Sequence, residues 1–243
     1  MSVLLVAIAL SVVGSVGGLL VASLILLLRG SIRHTLVPSL ISYAVGTLLG
    51  VALLALLPEA LDTLDPSAVL GTLLAGILGF FMLEKLVIWH HCHDEDCDVH
   101  TRSASLILLG GAVHNFADGC IIGAAVLSSI PLGVSTAMAV AAHQVPQEVG
   151  DFAILLGAGH TRRRALLLNA LSASTGIVGA IVVYGAAGWV PHALPFILAF
   201  AAGNFLYIAM ADLIPGLHHG AISVGAPRQV ALIAAGIATV IVL

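Results

Sequence analysis

The chain has 243 residues, of which 60% are hydrophobic and only 8% are charged, and its formal net charge at pH 7 is −4. Its mean hydropathy is +1.16. So few charged side chains cannot cover a water-soluble domain of this size, which excludes a soluble globular protein. The composition indicates a multi-pass protein whose main partner is the lipid bilayer, with no nucleic-acid partner.

Eight apolar stretches follow one another along the chain, and a helix needs about 20 such residues to cross a bilayer. Turn residues such as Pro66, Pro131 and Pro191 separate them. The first stretch is too long for the apolar part of a signal peptide, so we expect it to be retained. The sequence predicts an all-α membrane protein of eight transmembrane helices in a single domain, 1–243. The predicted helices cover 3–28, 36–58, 68–90, 104–129, 133–159, 164–188, 193–216 and 223–243.

The lysines and arginines predict how these helices are oriented. All eight fall in or beside loops 1–2, 3–4, 5–6 and 7–8, which share one side of a protein with eight spans. Because basic residues concentrate in cytosolic loops, these four loops are predicted to be cytosolic and both termini extracytosolic. The basic residues are Arg29, Arg33, Lys85, Arg102, Arg162, Arg163, Arg164 and Arg228.

Glycine is abundant, with 26 residues, and several glycines are spaced four residues apart. Gly14 with Gly18 and Gly46 with Gly50 are examples. Small residues at this spacing let helices pack closely in lipid. Apolar outer faces with such motifs also permit a homodimer.

Two polar segments interrupt the fourth and fifth predicted helices, HNFADG at 114–119 and HQVPQEVGD at 143–151. Ionisable residues inside a membrane usually face the protein interior and mark an ion or substrate site. Because residues four apart lie on one face of a helix, each segment aligns its polar side chains in rows. The predicted metal site between the two helices comprises His114, Asn115, Asp118, His143, Gln144, Gln147 and Glu148, with Asp151 as a further pathway residue.

The ligand types in these segments narrow the choice of metal. Imidazole, carboxylate and amide groups together suit Zn²⁺, Fe²⁺ or Mn²⁺ better than Cu⁺ or Ca²⁺. Pro146 leaves the carbonyl of Ala142 without its helical partner, which is consistent with an ion passage and equally with ordinary packing. A single buried histidine or amide often only links helices, whereas seven such groups at ligand spacing favour a metal site.

In these residues the chain resembles the ZIP family of divalent metal transporters. Members carry HNxxDG or HNxxEG in helix four, and many carry an HExPHExGD-like segment in helix five. Further stretches agree at 46–61, 80–93 and 201–215. The resemblance implies metal uptake towards the cytosol and an elevator-like rigid-body movement. The chain most resembles the members with DG in helix four, but we expect it to be without their large extracellular domains. It assigns His114, Asp118, His143 and Gln147 to a primary site and Asn115 and Gln144 to a second, adjacent site.

The chain departs from the family pattern at three positions. Gln144 replaces an acid, Gln147 replaces a second histidine, and Ala55 replaces a histidine that is common before the LLPE stretch of helix two. Without a carboxylate at Gln144 the second site is weakened, so we expect one dominant metal ion of modest affinity, with Zn²⁺ favoured. Modest affinity suits transport, because a permeant ion must leave as well as enter.

The predicted cytosolic loop 91–103 and its surroundings are rich in histidine, cysteine and acids. We expect this loop to gather metal without a defined tetrahedral site, and the alternative is an ordinary solvated loop. The cysteines number three, and an odd count argues against a disulfide framework. The candidate loop ligands are His90, His91, Cys92, His93 and Cys97, and the candidate pathway residues near helix ends are Glu59 and Asp212.

Two other functions remain open at this point. The segment HQVPQ occupies the frame of the HExxH hydrolase motif, but both the general base and the second histidine are glutamine, so we expect no enzyme and no catalytic cofactor. A metal sensor or scaffold that does not transport would also fit the two glutamines. The expected location is the plasma or an inner membrane, with an organelle membrane as the alternative.

Overall fold

The computed structural model describes residues 2–89, 99–188, 191–219 and 225–242, and within these ranges the chain is helical and has no strand. The helices of these described ranges form eight rods, which we number in chain order. Three rods are built from consecutive segments. The rods are α1 (Val3–Leu27), α2 (Gly30–Leu61), α3 (Pro66–Trp89), α4 (Val99–Ser128), α5 (Ile130–Gly157), α6 (Arg162–Ala187), α7 (Leu194–Tyr207, Ile208–Leu213 and Ile214–His219) and α8 (Ala226–Val242).

Six of the described helices are long and apolar enough to cross a membrane: α1, α2, α3, α4, α6 and α7. Helix α8 is apolar but shorter. Helix α5, which carries HQVPQEVGD, is long enough, but it is not among the six. The expectation of an all-α, multi-pass integral membrane protein is confirmed, whereas the number of eight spans and the placement of both termini stay predictions.

Helices α2 and α7 share an unusual local pattern. Each contains a π-helical segment, Ala52–Leu56 in α2 and Ile208–Leu213 in α7, followed within two residues by Pro58 or Pro215. Proline lacks the N–H that would continue the α-helical ladder, and a π-helical turn beside it shifts the hydrogen-bond register without ending the helix. Both helices therefore continue as single rods past their prolines.

Glycines bring α2 into backbone contact with α8, and α7 into backbone contact with α3. A Cβ added at Gly46 would lie 2.1 Å from the carbonyl oxygen of Ile233, which joins α2 to α8. A Cβ added at Gly203 of α7 would lie 2.1 Å from the carbonyl oxygen of Leu73 on α3. These contacts, together with the close approach of Gly14 and Gly18 to α5, confirm that the glycine spacing marks helix packing.

The largest apolar core fills one half of the bundle. It joins the second half of α2 and α4 to the first half of α5 and α7, and under the predicted orientation this is the extracytosolic half. Its largest fully buried side chains include Leu48, Leu56, Ile122, Val140, Leu198 and Phe205.

The turn between α4 and α5 places the two polar segments opposite each other. Only Ser129 separates the helices, and its hydroxyl caps α5 by accepting a hydrogen bond from the amide of Leu132 at 3.3 Å. His114 lies 15 residues before Ser129 and His143 lies 14 residues after it. At about 1.5 Å per residue both histidines are roughly 22 Å from the turn, and therefore at the same depth.

Outside the helices, Asp65 begins α3 in a similar way. Its carboxylate accepts a hydrogen bond from the amide of Ser67 at 3.0 Å and another from the Ser67 hydroxyl. The bond from the Ser67 side chain is the largest cause that holds the pKa of Asp65 below its ordinary value. A charged carboxylate at this position stabilises the start of the helix.

Candidate metal site

Three side chains from α4 and α5 meet at the level fixed by the turn. His114 Nε2 lies 3.2 Å from His143 Nε2, and Asp118 Oδ2 lies 3.4 Å from the first and 3.2 Å from the second. One ligand atom from each of the three residues falls within 4.8 Å of the others. Among the described residues, these three form the group of His, Cys, Asp or Glu side chains that could hold a metal ion. Asp118 and His143 are almost fully buried, and His114 is 14% exposed.

The orientation of His143 fixes which of its nitrogens faces the cluster. Its Nδ1 lies 3.0 Å from the carbonyl oxygen of Ala139, one helical turn earlier. A carbonyl can only accept, so Nδ1 carries the proton and donates it. In the neutral ring Nε2 is then the atom with a free lone pair, and it points at Asp118 and His114.

An amide network borders the three ligands. Asn115 donates from Nδ2 to the carbonyl oxygen of Gly111 at 2.8 Å, so its Oδ1 faces the other way. Gln144 Nε2 donates to that Oδ1 and lies 3.4 Å from Asp118 Oδ2. Gln144 thus ties α5 to α4 through its amino group.

Some buried oxygen atoms beside the cluster have no protein partner. Among the described residues these include Asp118 Oδ1, Gln144 Oε1 and Glu148 Oε2. Buried acceptors without a donor are costly, and a cation or water would satisfy them. The buried oxygen atoms around Asp118 are therefore suited to bind a cation.

Two phenylalanines hold the imidazole rings in place. The ring of Phe80 on α3 lies edge-to-face with His114, with centroids 6.2 Å apart, and Phe205 on α7 contacts His143 at 6.0 Å. Each contact lets an aromatic ring support the imidazole without competing for its nitrogens. Sequence reasoning missed both residues, because an apolar residue in an apolar helix carries no distinguishing signal.

A cavity of about 490 Å³ leads away from the cluster. His114 and His143 form part of its wall, and Gln147, Asp151 and Asp212 continue the polar lining. The other lining residues come from the first half of α2 and α4 and the second half of α3, α5 and α7. Under the predicted orientation the cavity therefore lies on the cytosolic half, opposite the apolar core.

The remaining sequence-predicted residues lie apart from the three ligands. Gln147 and Asp151 line the cavity. Glu148 is 2% exposed and belongs to the row of Gln144, outside the group of three. Glu59 accepts a hydrogen bond from the hydroxyl of Ser128 and so joins the end of α2 to the end of α4.

The predicted loop ligands His90, His91, Cys92, His93 and Cys97 lie outside the described residues. The description resumes at Val99, where α4 already begins, so the last part of the predicted loop 91–103 is helical.

The glycine of HNFADG has a structural explanation that the motif alone did not reveal. A Cβ added at Gly119 would lie 1.8 Å from the carbonyl oxygen of Gly176, so α4 and α6 touch directly beneath Asp118. Thr175, the residue before Gly176, donates its hydroxyl to the carbonyl of Ala112 at 2.6 Å, and Ser172 Oγ lies 3.4 Å from Asn115 Nδ2. Helix α6 is therefore a support for the ligand-bearing face of α4.

Comparison with known proteins identifies similar chains. A family model described as ZIP Zinc transporter matches residues 89–243. Zinc transporter ZIP4 of Rattus norvegicus is 50% identical over 112 residues, which cover 46% of this chain and 17% of that protein. Zinc transporter ZIP10 of Homo sapiens is 35% identical over 144 residues, covering 54% of this chain and 17% of that protein. The matching part thus spans about one sixth of the length of these relatives.

Proposed function

The chain belongs to the ZIP zinc transporter family, and from this we propose that it moves divalent transition-metal ions, Zn²⁺ foremost, across a membrane towards the cytosol. Fe²⁺, Mn²⁺ and Cd²⁺ are further candidate substrates. The observation that carries the proposal is the convergence of His114, Asp118 and His143 at the inner end of a cavity. The family is one of transporters, so membership also supports the expectation that the chain is not an enzyme.

The spacing of the three ligand atoms supports Zn²⁺ as the substrate. A tetrahedral zinc ion with bonds of about 2.0–2.1 Å holds its ligand atoms about 3.3 Å apart. The three separations here are 3.2, 3.2 and 3.4 Å. Gln147 in the cavity wall or a water molecule would supply the fourth ligand, and an incomplete protein shell favours release.

The amide network favours a single ion. A second ion next to Asp118 would require acceptor groups, yet Gln144 turns its amino group towards both Asn115 and Asp118. That amino group engages Asn115 Oδ1 and lies close to Asp118 Oδ2, so it withdraws these two oxygen atoms from a second cation and adds no negative charge to attract one. We therefore keep the prediction of one dominant ion, bound by Asp118 and the two imidazoles.

The cavity and the core together support a direction of access. The site communicates with the predicted cytosolic half through the cavity, while the apolar core closes the other half. Transport then requires a second arrangement that exposes the site to the extracytosolic side. The elevator-like rigid-body movement that the family resemblance implies would provide it.

The test is metal uptake into liposomes that contain the purified protein and a metal-sensitive dye. We expect Zn²⁺ uptake above that of protein-free vesicles, and loss of uptake in His114→Ala. His192→Ala is the matched control, since His192 is exposed and far along the chain from the site. If the wild-type protein takes up none of Zn²⁺, Fe²⁺, Mn²⁺ and Cd²⁺, the transport proposal fails. Zn²⁺ binding that persists without uptake would favour a sensor or scaffold.

Three narrower proposals accompany this one. The His- and Cys-rich loop would gather metal at the cytosolic end. Replacement of its histidines and cysteines by serine tests this role, and unchanged uptake together with unchanged Zn²⁺ binding would exclude it.

The small-residue motifs would allow a homodimer, and the mass of the purified protein in solution tests this. The plasma or an inner membrane remains the proposed location.

A further inference from the structure

A second cavity lies on the outside of the bundle, away from the metal site. It has a volume of about 640 Å³ and is lined by α1, the last part of α5 and the start of α6. That volume is within the range of about 300–1,000 Å³ that is usual for sites of small molecules. We call it the α1–α5–α6 groove.

The wall of the groove is apolar and faces outwards. Leu24 and Leu27 of α1 are 64% and 75% exposed, and Leu166 of α6 is 39% exposed. Phe152 and Leu156 of α5 form the inner wall. In a bilayer these surfaces face hydrocarbon, so the groove accommodates an acyl chain without exposing it to water.

The mouth of the groove is basic. Arg162 and Arg163 both line it, both side chains are exposed, and neither forms an ion pair within the part of the chain that the structure describes. They stand at the first turn of α6, where the predicted orientation places the boundary between the cytosolic leaflet and water. Guanidinium groups bind phosphate through paired hydrogen bonds, and basic clefts between helices on this side bind anionic headgroups.

We propose that the α1–α5–α6 groove binds one anionic phospholipid of the cytosolic leaflet. Its phosphate would be held by Arg162 and Arg163, and one acyl chain would lie against Leu24, Leu27 and Phe152. The two arginines would then do more than set the orientation of the chain, whereas Arg164, which does not line the groove, would serve orientation alone. The proposal does not depend on transport.

The position of the groove suggests why such a lipid would matter. Phe152 in its wall directly follows Asp151, which lines the metal-site cavity on the other side of α5. A lipid in the groove would therefore hold α5 against α1 and α6 at the level where the cavity opens.

The experiment is native mass spectrometry of the purified protein with equal amounts of phosphatidylglycerol and phosphatidylcholine. We expect the wild-type protein to retain one phosphatidylglycerol in preference to phosphatidylcholine. Arg162→Gln with Arg163→Gln should lower that preference roughly 30-fold, since each basic residue near the surface contributes about 1 kcal/mol and every 1.4 kcal/mol is tenfold. Ser23→Phe, which keeps both charges but fills the groove, should also abolish retention.

The matched control is Arg164→Gln with Arg228→Gln, which removes the same charge from the same predicted side but leaves the groove intact. It should behave as the wild-type protein does. Equal loss in this control would mean diffuse attraction to anionic lipid, and an unchanged preference in the Arg162 and Arg163 double variant would mean no headgroup site; either result overturns the proposal. A dimer whose assembly displaces the lipid would also overturn the proposal, because a second copy of the chain would then occupy the groove.

Discussion

Gln144 donates its side-chain amino group to Oδ1 of Asn115, and this hydrogen bond joins α5 to α4 beside the three metal ligands. The direction of donation follows from the other end of Asn115, whose amino group is already engaged with the carbonyl of Gly111. An amide at position 144 can thus satisfy acceptors that a carboxylate would leave to a second cation.

Gln144→Glu should raise the number of bound Zn²⁺ ions from one towards two per chain. The new carboxylate would lie next to Asp118, and two buried carboxylates require an additional positive charge. Metal content of the purified protein after equilibration with excess Zn²⁺ measures this. Gln229→Glu on α8 is the control and should leave the number unchanged; a content of one ion in both variants would contradict the role assigned to Gln144.

Asp118→Asn should lower Zn²⁺ affinity at least about 10–100-fold, which is the effect already seen when only a supporting partner of a metal ligand is lost. Asparagine keeps the shape of the side chain but removes the charge that lies within 3.4 Å of both histidines. Isothermal titration calorimetry gives the affinity. Asp62→Asn, at an exposed position, should bind as the wild-type protein does. Equal affinity in the two variants would place the ion elsewhere.

Gln147→His should tighten Zn²⁺ binding by about 1.4 kcal/mol or more, which is tenfold, because a third imidazole would reach the site from the cavity wall. Tighter binding should slow release, so we expect the maximal uptake rate to fall while half-saturation moves to lower Zn²⁺. Uptake measured over a series of Zn²⁺ concentrations separates the two effects. A variant whose affinity and rate both match those of the wild-type protein would exclude Gln147 from the pathway.

Gly119→Ala should destabilise the protein by forcing α4 and α6 apart. The added methyl group would meet the backbone of Gly176, which cannot move aside as a flexible side chain would. Overpacking of this kind costs about 1–3 kcal/mol, or roughly 2–12 °C in apparent Tm for a chain of this size. Gly71→Ala, where the added atom meets nothing within 4 Å, is the control for thermal unfolding in detergent. Equal Tm values in the two variants would show that the contact is not tight.

The sequence alone was sufficient to predict the class of protein and the two helices that carry the site. Stretches of about 20 apolar residues must form helices in lipid, because the backbone has to satisfy its own hydrogen bonds there. The spacing of His114 and Asp118 puts both on one face of α4 whatever the tertiary structure is. The sequence predicts helix four to end at 129 and helix five to begin at 133, whereas the structure closes the turn with Ser129 alone and so brings His143 to the depth of His114.

Only the tertiary structure decided which polar side chains meet. Periodicity gives each helix a polar face but does not say how far that helix is rotated towards its neighbours, because rotation is set by packing. Contact of Gly119 with Gly176 fixes α4 against α6, and Gly18 against Gln144 fixes α1 against α5. With these rotations His143 turns to Asp118 while Glu148 stays outside the group. Contacts between residues far apart in the chain also form the apolar core that closes one half of the bundle. They form the α1–α5–α6 groove in the same way.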